Sequence, residues 1–324
     1  MDFAPFLLDP RRLWQGERAP DLPLAIVDCD AAREWPDQPV LPPFPVIALG
    51  DRAHPLAAAL DAVIEPPVPL AALVRAVGAH PRAAAVVVDL LRLLPALPAE
   101  QGLVAESLAY AALQAGSEHL AWRARRPAAA PAAPGRVQVV RTDDCLALTL
   151  DRPAAGNAVD VAMRDALVEA LELARLDPAI ARVRLAATGR SFSLGADLAE
   201  FGTTADPAAA HAIRRRTLPA RLLAELGDRL EVHIDGACVG AGLEMAAFAH
   251  RLTASPRAWF QLPELAMGVL PGAGGCVSLT RRIGRQRTAL LILSGRRIGA
   301  PTAQSWGLVD QLTADETGAH VART

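Results

Sequence analysis

Two glutamates stand out as groups that could move protons. Glu244 follows Gly236, Gly240 and Gly242, which lie between an apolar strand-like run and an apolar helix-like run. Glu264 comes twenty positions later in FQLPE, ahead of LPGAGG. Among Leu243, Met245, Leu262 and Leu265 a carboxylate is desolvated, so its pKa rises toward the range useful for proton transfer near neutrality. Reached by solvent, the same two residues would be ordinary surface acids. The glycine turn also carries two readings: close packing of strand on helix, or a helix start whose N–H groups face an anionic ligand.

The segments around these residues alternate between strand-like and helix-like patterns. The run 183–187 reads as a buried strand and leads into SFSLGADLAEF at 191–201; 161–176 repeats apolar residues at helical spacing through Met163, Leu167, Leu171 and Ala174. Runs 137–141 and 146–150 alternate like strands around the turn residues 142–144, which predicts a hairpin. Further upstream, 24–27 and 46–49 read as short buried strands, 69–77 and 83–94 as helices, and 101–123 as one longer helix. The segment PAAAPAAPG at 127–135 opposes both helix and sheet and predicts a linker between an amino-terminal domain, 1–126, and a second domain, 136–324. His54, His80 and His119 fall singly among turn residues and are assigned no chemistry.

Composition narrows the classes. At 324 residues and 52% hydrophobic, the chain can build about two folded domains at roughly 100–200 residues each. A net charge of −2, from 33 basic and 35 acidic residues, provides no global field for nucleic acid or an anionic membrane, so neither is expected as a partner. Every basic residue is arginine, which excludes a Schiff-base lysine. Cys29, Cys145, Cys238 and Cys276 are far apart with no CxxC, and the expected location is a reducing cytoplasm. Apolar stretches fall short of the roughly 18 residues of a membrane span. The GxGxxG turn, the GxxxxGK phosphate loop, the HExxH zinc helix and the GxSxG elbow are absent, and no metal site is expected.

Six blocks in order then identify a resemblance: LDRPAAGNAVD at 150–160, SFSLGADLAEF at 191–201, IDGACVGAGLEMA at 234–246, FQLPELAMGVLPGAGG at 260–275, LTRRIG at 279–284 and LSGRRIGAPTAQSWGLVD at 293–310. Over about 136–313 the chain resembles the enoyl-CoA hydratase/isomerase family, the crotonases. The resemblance implies an α/β core of repeated ββα turns forming a spiral, here with an additional mixed α/β or helical amino-terminal region. It implies an acyl-CoA substrate bound bent, with coenzyme A as part of that substrate and no prosthetic group. By position, Ala196 and Ala241 would supply two N–H groups to an oxyanion hole, and Glu244 and Glu264 would be the two acids of a hydratase. Glu264 would exchange the proton at Cα, and Glu244 would hold and activate water. Ala196, Asp197 and Leu198, with Arg152 and Arg190, would hold the coenzyme A portion. A homo-oligomer, trimer or hexamer, is implied as well.

Several positions depart from the family pattern. Ala241 stands where members usually have glycine, and Ala199 where many carry a lysine that helps hold coenzyme A. Arg190, Arg152 and the cluster Arg214 to Arg216 are the candidates to replace that lysine; for the cluster a solvated helix face is the other reading. The chain stops at Thr324, where members continue into further helices, so the upstream helix at 101–123 is the expected cover for the acyl pocket. The stretch 100–127 also resembles the helical extension of a crotonase-fold dioxygenase acting on dihydroxyphenylacetyl-CoA. Three functions stay open on this reading. The first is hydration of a 2-enoyl-CoA, fatty or aromatic. The second is another thioester reaction: isomerisation, hydrolysis or cofactor-free dioxygenation. The third is a non-catalytic partner subunit.

Overall fold

The computed structural model describes residues 1–14, 22–126, 132–201 and 203–314. The amino-terminal part contains β1 (Ala25–Asp28), β2 (Val46–Leu49), α1 (Pro55–Ala59), β3 (Ala62–Val63), α2 (Leu70–Ala79), α3 (Pro81–Leu93), α4 (Ala99–Gln114) and α5 (Ser117–Ala124). It is followed by β4 (Arg136–Thr142), β5 (Cys145–Asp151), α6 (Val161–Leu176), β6 (Arg182–Ala187), β7 (Ser191–Ser193), α7 (Pro207–Thr217) and α8 (Ala220–Glu225). Then come β8 (Leu230–Ile234), β9 (Ala237–Val239), α9 (Ala241–Ala246), β10 (Arg251–Ala254) and β11 (Trp259–Gln261). The described chain ends through α10 (Gly275–Ile283), α11 (Arg285–Ser294), β12 (Ile298–Gly299), α12 (Ala300–Ser305) and β13 (Gln311–Leu312).

The strands after residue 135 sort into two sheets, β13-β10-β8-β6-β5-β4 and β12-β11-β9-β7. Successive pairs, β6 with β7, β8 with β9 and β10 with β11, give one strand to each sheet, and the matching strands run parallel. This repetition is the ββα spiral. Each pair needs a tight bend between its strands, and in the second that bend is Gly236, at φ +72°, where a Cβ would fall 2.0 Å from the Arg190 carbonyl oxygen. Only glycine fits there. The hairpin expected near 142–144 is β4–β5, turned through Asp143 at φ +52°, and α6 starts on Asp160, whose carboxylate accepts from Met163 N–H.

The amino-terminal part forms a parallel sheet, β1-β2-β3, covered by helices. One face of that sheet joins the core of the spiral, since Leu24, Ile47 and Leu73 belong to the same buried cluster as Leu146, Leu243 and Leu290, while Ala25, Val27, Val46 and Ala48 pack into a second cluster with Leu56 and Leu60. Ion pairs fasten the junction. Asp61, buried beside β3, accepts from Arg92 of α3 and from Arg285 of α11, and Glu65 pairs with Arg287. The helix expected over 101–123 is two helices, α4 and α5. Gly116 separates them because its extended backbone (φ −74°, ψ 152°) opens α5 as N-cap and interrupts the helical run. Residues 127–131 of the expected linker lie outside the described residues.

Candidate active site

Glu244 sits in the first turn of α9, behind a bend at Gly240 with φ +48° and ψ −125°. That conformation directs β9 into α9 and leaves the first N–H groups of the helix without intrahelical acceptors, Ala241 among them. Across from it, β7 runs into Leu194, Gly195 and Ala196. Gly195 N–H donates to Ser193 Oγ, and Asp197 N–H to the Val159 carbonyl. The Ala196 N–H between them has no partner among the described residues. The two segments abut: a Cβ on Gly195 would lie 3.6 Å from Ala241 N. Glu264 follows β11 at the head of a short 3-10 turn, Glu264–Met267, and its Oε1 approaches so closely that a Cβ on Gly240 would fall 2.6 Å away.

All four groups line one cavity of about 470 Å³. Glu244 is 2% and Glu264 8% exposed, and neither forms an ion pair among the described residues. Glu244 Oε2 accepts from Ala273 N–H at 2.6 Å and Gly275 N–H at 2.9 Å. Burial raises its carboxyl to about 7 against the pull of those two donors. Glu264 Oε2 is buried without a partner; desolvation and the neighbouring Glu244 charge push its pKa well above the usual range. Both acids are therefore held above the ordinary carboxylate range, Glu244 near neutrality, where a buried carboxyl can exchange protons.

The amino-terminal part supplies a wall of this cavity. Tyr110 and Gln114 of α4 line it, and Tyr110 lies where a Cβ on Gly272 would meet its ring at 2.2 Å. One turn earlier is Glu106, 2% exposed, which accepts from Gly274, Cys276 and Val277 N–H at 2.7, 2.9 and 3.3 Å. Burial and the nearby Glu244 push the Glu106 carboxyl upward, and the three donors oppose them. Glu106 was not singled out from sequence, because nothing within 101–123 marks a carboxylate that faces backbone amides. The available signal was the spacing of Glu106, Tyr110 and Gln114, which places all three on one face.

Of the residues expected to hold coenzyme A, Ala196, Asp197 and Leu198 line the cavity. Arg152 is placed elsewhere. It does not face the cavity but is buried, donating to the Ala133 and Ala158 carbonyls and to Asp197, with Asp160 at 3.5 Å. A guanidinium so occupied braces the loop before α6. Arg190 is exposed and outside the cavity lining. Of the cluster, Arg215 and Arg216 are exposed. Arg214 lines the cavity, lies over the Tyr110 ring at 4.5 Å and donates to Ser107 and Gln114.

The sequence from 141 to 324 matches the family model described as enoyl-CoA hydratase/isomerase. The chain belongs to that family. It is similar to the 2,3-dehydroadipyl-CoA hydratase of Escherichia coli, 39% identical over 174 residues, covering 54% of this chain and 68% of the relative. It is also similar to the mevalonyl-coenzyme A hydratase of Beauveria bassiana, 31% identical, with 52% and 64% covered. Among solved structures, an enoyl-CoA hydratase/isomerase from Mycobacterium abscessus superposes with a TM-score of 0.52 at 37% identity, over 55% of this chain and 70% of that one. An enoyl-CoA hydratase from Thermoplasma volcanium gives 0.51 at 30%, over 56% and 72%. The spiral of this enoyl-CoA hydratase/isomerase family member is thus the crotonase fold, and the protein is an enzyme of the hydro-lyase type. The amino-terminal part lies before the matched region, so the contacts of Glu106 and Tyr110 come from outside it.

Proposed function

We propose that this protein adds water across the 2,3 double bond of a 2-enoyl-CoA thioester. The thioester oxygen accepts the Ala196 and Ala241 N–H groups, which stabilise the negative charge that develops there as water attacks. Ionised Glu244 takes a proton from water as its oxygen bonds to Cβ, the π pair moves toward Cα, and Glu264 delivers a proton to Cα. The product is a 3-hydroxyacyl-CoA, and the two acids exchange protons with solvent to reset. Coenzyme A enters with the substrate and no prosthetic group takes part in this scheme. The Ala241 side chain does not remove a donor, since the donor is backbone.

The observation that carries this reading is the pair of buried carboxylates lining one cavity with two unengaged amides, one acid raised to about 7 and the other pushed well above the usual carboxylate range. Removing one oxyanion donor typically costs about 10²–10³ in rate, and a positioned proton transfer is worth about 10²–10⁴. Purified protein is expected to hydrate crotonyl-CoA or a longer or ring-bearing enoyl-CoA in a mass-spectrometric panel, and Glu264→Gln to lower turnover by orders of magnitude while remaining folded. Full turnover in that variant would refute the assigned role. Assembly as a homo-oligomer belongs to the same proposal and is tested by the native mass from light scattering.

A further inference from the structure

We propose that Glu106, carried to the cavity by α4 of the amino-terminal part, is a positioning residue that holds the 273–277 backbone so that its amides present to Glu244. Five consecutive N–H groups are divided between the two acids. Those of Ala273 and Gly275 go to Glu244, and those of Gly274, Cys276 and Val277 go to Glu106. Two carboxylates from different parts of the chain therefore interleave on one strip of backbone, and neither set of bonds can shift without moving the other.

The strip cannot hold itself. It opens α10 on Gly274, at φ +104°, with no side-chain cap, and a Cβ on Gly275 would fall 2.4 Å from Glu244 Cγ. A capping side chain at these positions would displace the acid it serves. Glu106 supplies the missing acceptor from outside the helix, where an anion also complements the α10 dipole. Tyr110, one turn along α4, closes the strip at its start by packing on Gly272. The amino-terminal part thus reaches Glu244 through one intervening layer of backbone.

Charge gives the arrangement a signature beyond packing. The titratable groups around Glu244 are Glu106, Glu264, the Tyr110 phenol and the Cys276 thiol; burial raises the last two, so they remain neutral near pH 7. Arg214 is the cation facing Glu106. The Ala273 and Gly275 N–H groups lower the proton affinity of Glu244. Loosening the strip by removing the Glu106 acceptor should therefore raise the pH at which Glu244 ionises.

The proposal rests on the roles assigned to the acids above, and the test separates the two. In the full-length protein, Glu106→Gln keeps the length of the side chain but removes the charge and turns an amide toward N–H donors. The expected result is a kcat lowered about 10-fold or more, KM within about twofold, and the acid limb of kcat/KM moved to higher pH. A fall in kcat with an unmoved limb, or a KM that rises in step, would leave Glu106 a mere structural cap and overturn the proposal. So would wild-type kinetics. Should this variant not fold, Glu106→Asp keeps the charge and draws it back by one methylene; kcat should still fall at constant KM, and unchanged kcat overturns the proposal. If the wild-type protein hydrates no enoyl thioester, the reaction fails independently, and the Glu244 titration followed by carboxyl 13C NMR decides instead. Its midpoint must rise in Glu106→Gln, and an unchanged or lower midpoint refutes the proposal.

Discussion

Replacing Glu244 by glutamine should abolish turnover and at the same time stabilise the fold. The Glu244 carboxyl is raised from 4.5 to about 7 by burial, so the folded protein binds a proton there more tightly than the unfolded chain does. Such a group favours the folded state below the unfolded pKa, and that contribution is lost as pH rises through the folded one. At 1.36 kcal/mol per pKa unit, the ionised, buried Glu244 costs about 3 kcal/mol of stability above pH 7. Glutamine keeps an acceptor oxygen for the Ala273 and Gly275 amides and never ionises. The stability of Glu244→Gln relative to wild type should be small near pH 5, grow toward pH 7 and level off above it. For a chain of this size about 3 kcal/mol corresponds to a Tm gain on the order of 5 °C. Differential scanning calorimetry of both proteins from pH 5 to 9 measures the difference curve. A flat curve, or a variant less stable than wild type at pH 8, would refute the claim that the carboxylate is held ionised against its desolvation.

The same ionisation should appear in catalysis: kcat/KM falls as pH drops through about 7, because the base must be deprotonated, and a profile flat down to pH 5.5 would contradict that assignment. Gly240→Ala places a methyl in a backbone conformation with φ +48° and 2.6 Å from Glu264 Oε1. It is expected to cost about 1–3 kcal/mol of stability and at least about 10² in kcat, read by urea unfolding and steady-state kinetics. Arg152→Met leaves Asp160 and Asp197 without their buried partner and should destabilise by about 3–5 kcal/mol, with the affinity for free coenzyme A unchanged by calorimetry. A large loss of that affinity in a folded variant would return Arg152 to the phosphates.

Where local pattern decides structure, the sequence was readable. The helix over 161–176 and the strand over 46–49 appear with those bounds, since each shows its periodicity and, for the helix, an Asp160 cap. The acid pair was legible because its neighbours in sequence are apolar and remain its neighbours in space. Glu106 was not, because burial of that residue depends on 273–277, far along the chain, and nothing within α4 distinguishes a carboxylate facing backbone amides from one facing water. The placement of Arg152 was hidden for the complementary reason. An arginine near a phosphate-contacting block invites a phosphate, but Asp197, forty-five positions away, reaches its guanidinium first. The break between α4 and α5 turns on Gly116, a single glycine that periodicity averages away.

The most direct measurement follows the oxygen. Protein incubated with an enoyl-CoA thioester in 18O-enriched water, under unlabelled air, should give a 3-hydroxyacyl-CoA carrying one labelled oxygen on C3, and none when the label is in dioxygen. Label drawn from dioxygen, or a thioester that stays unaltered while the protein is folded, would contradict hydration by Glu244 and Glu264.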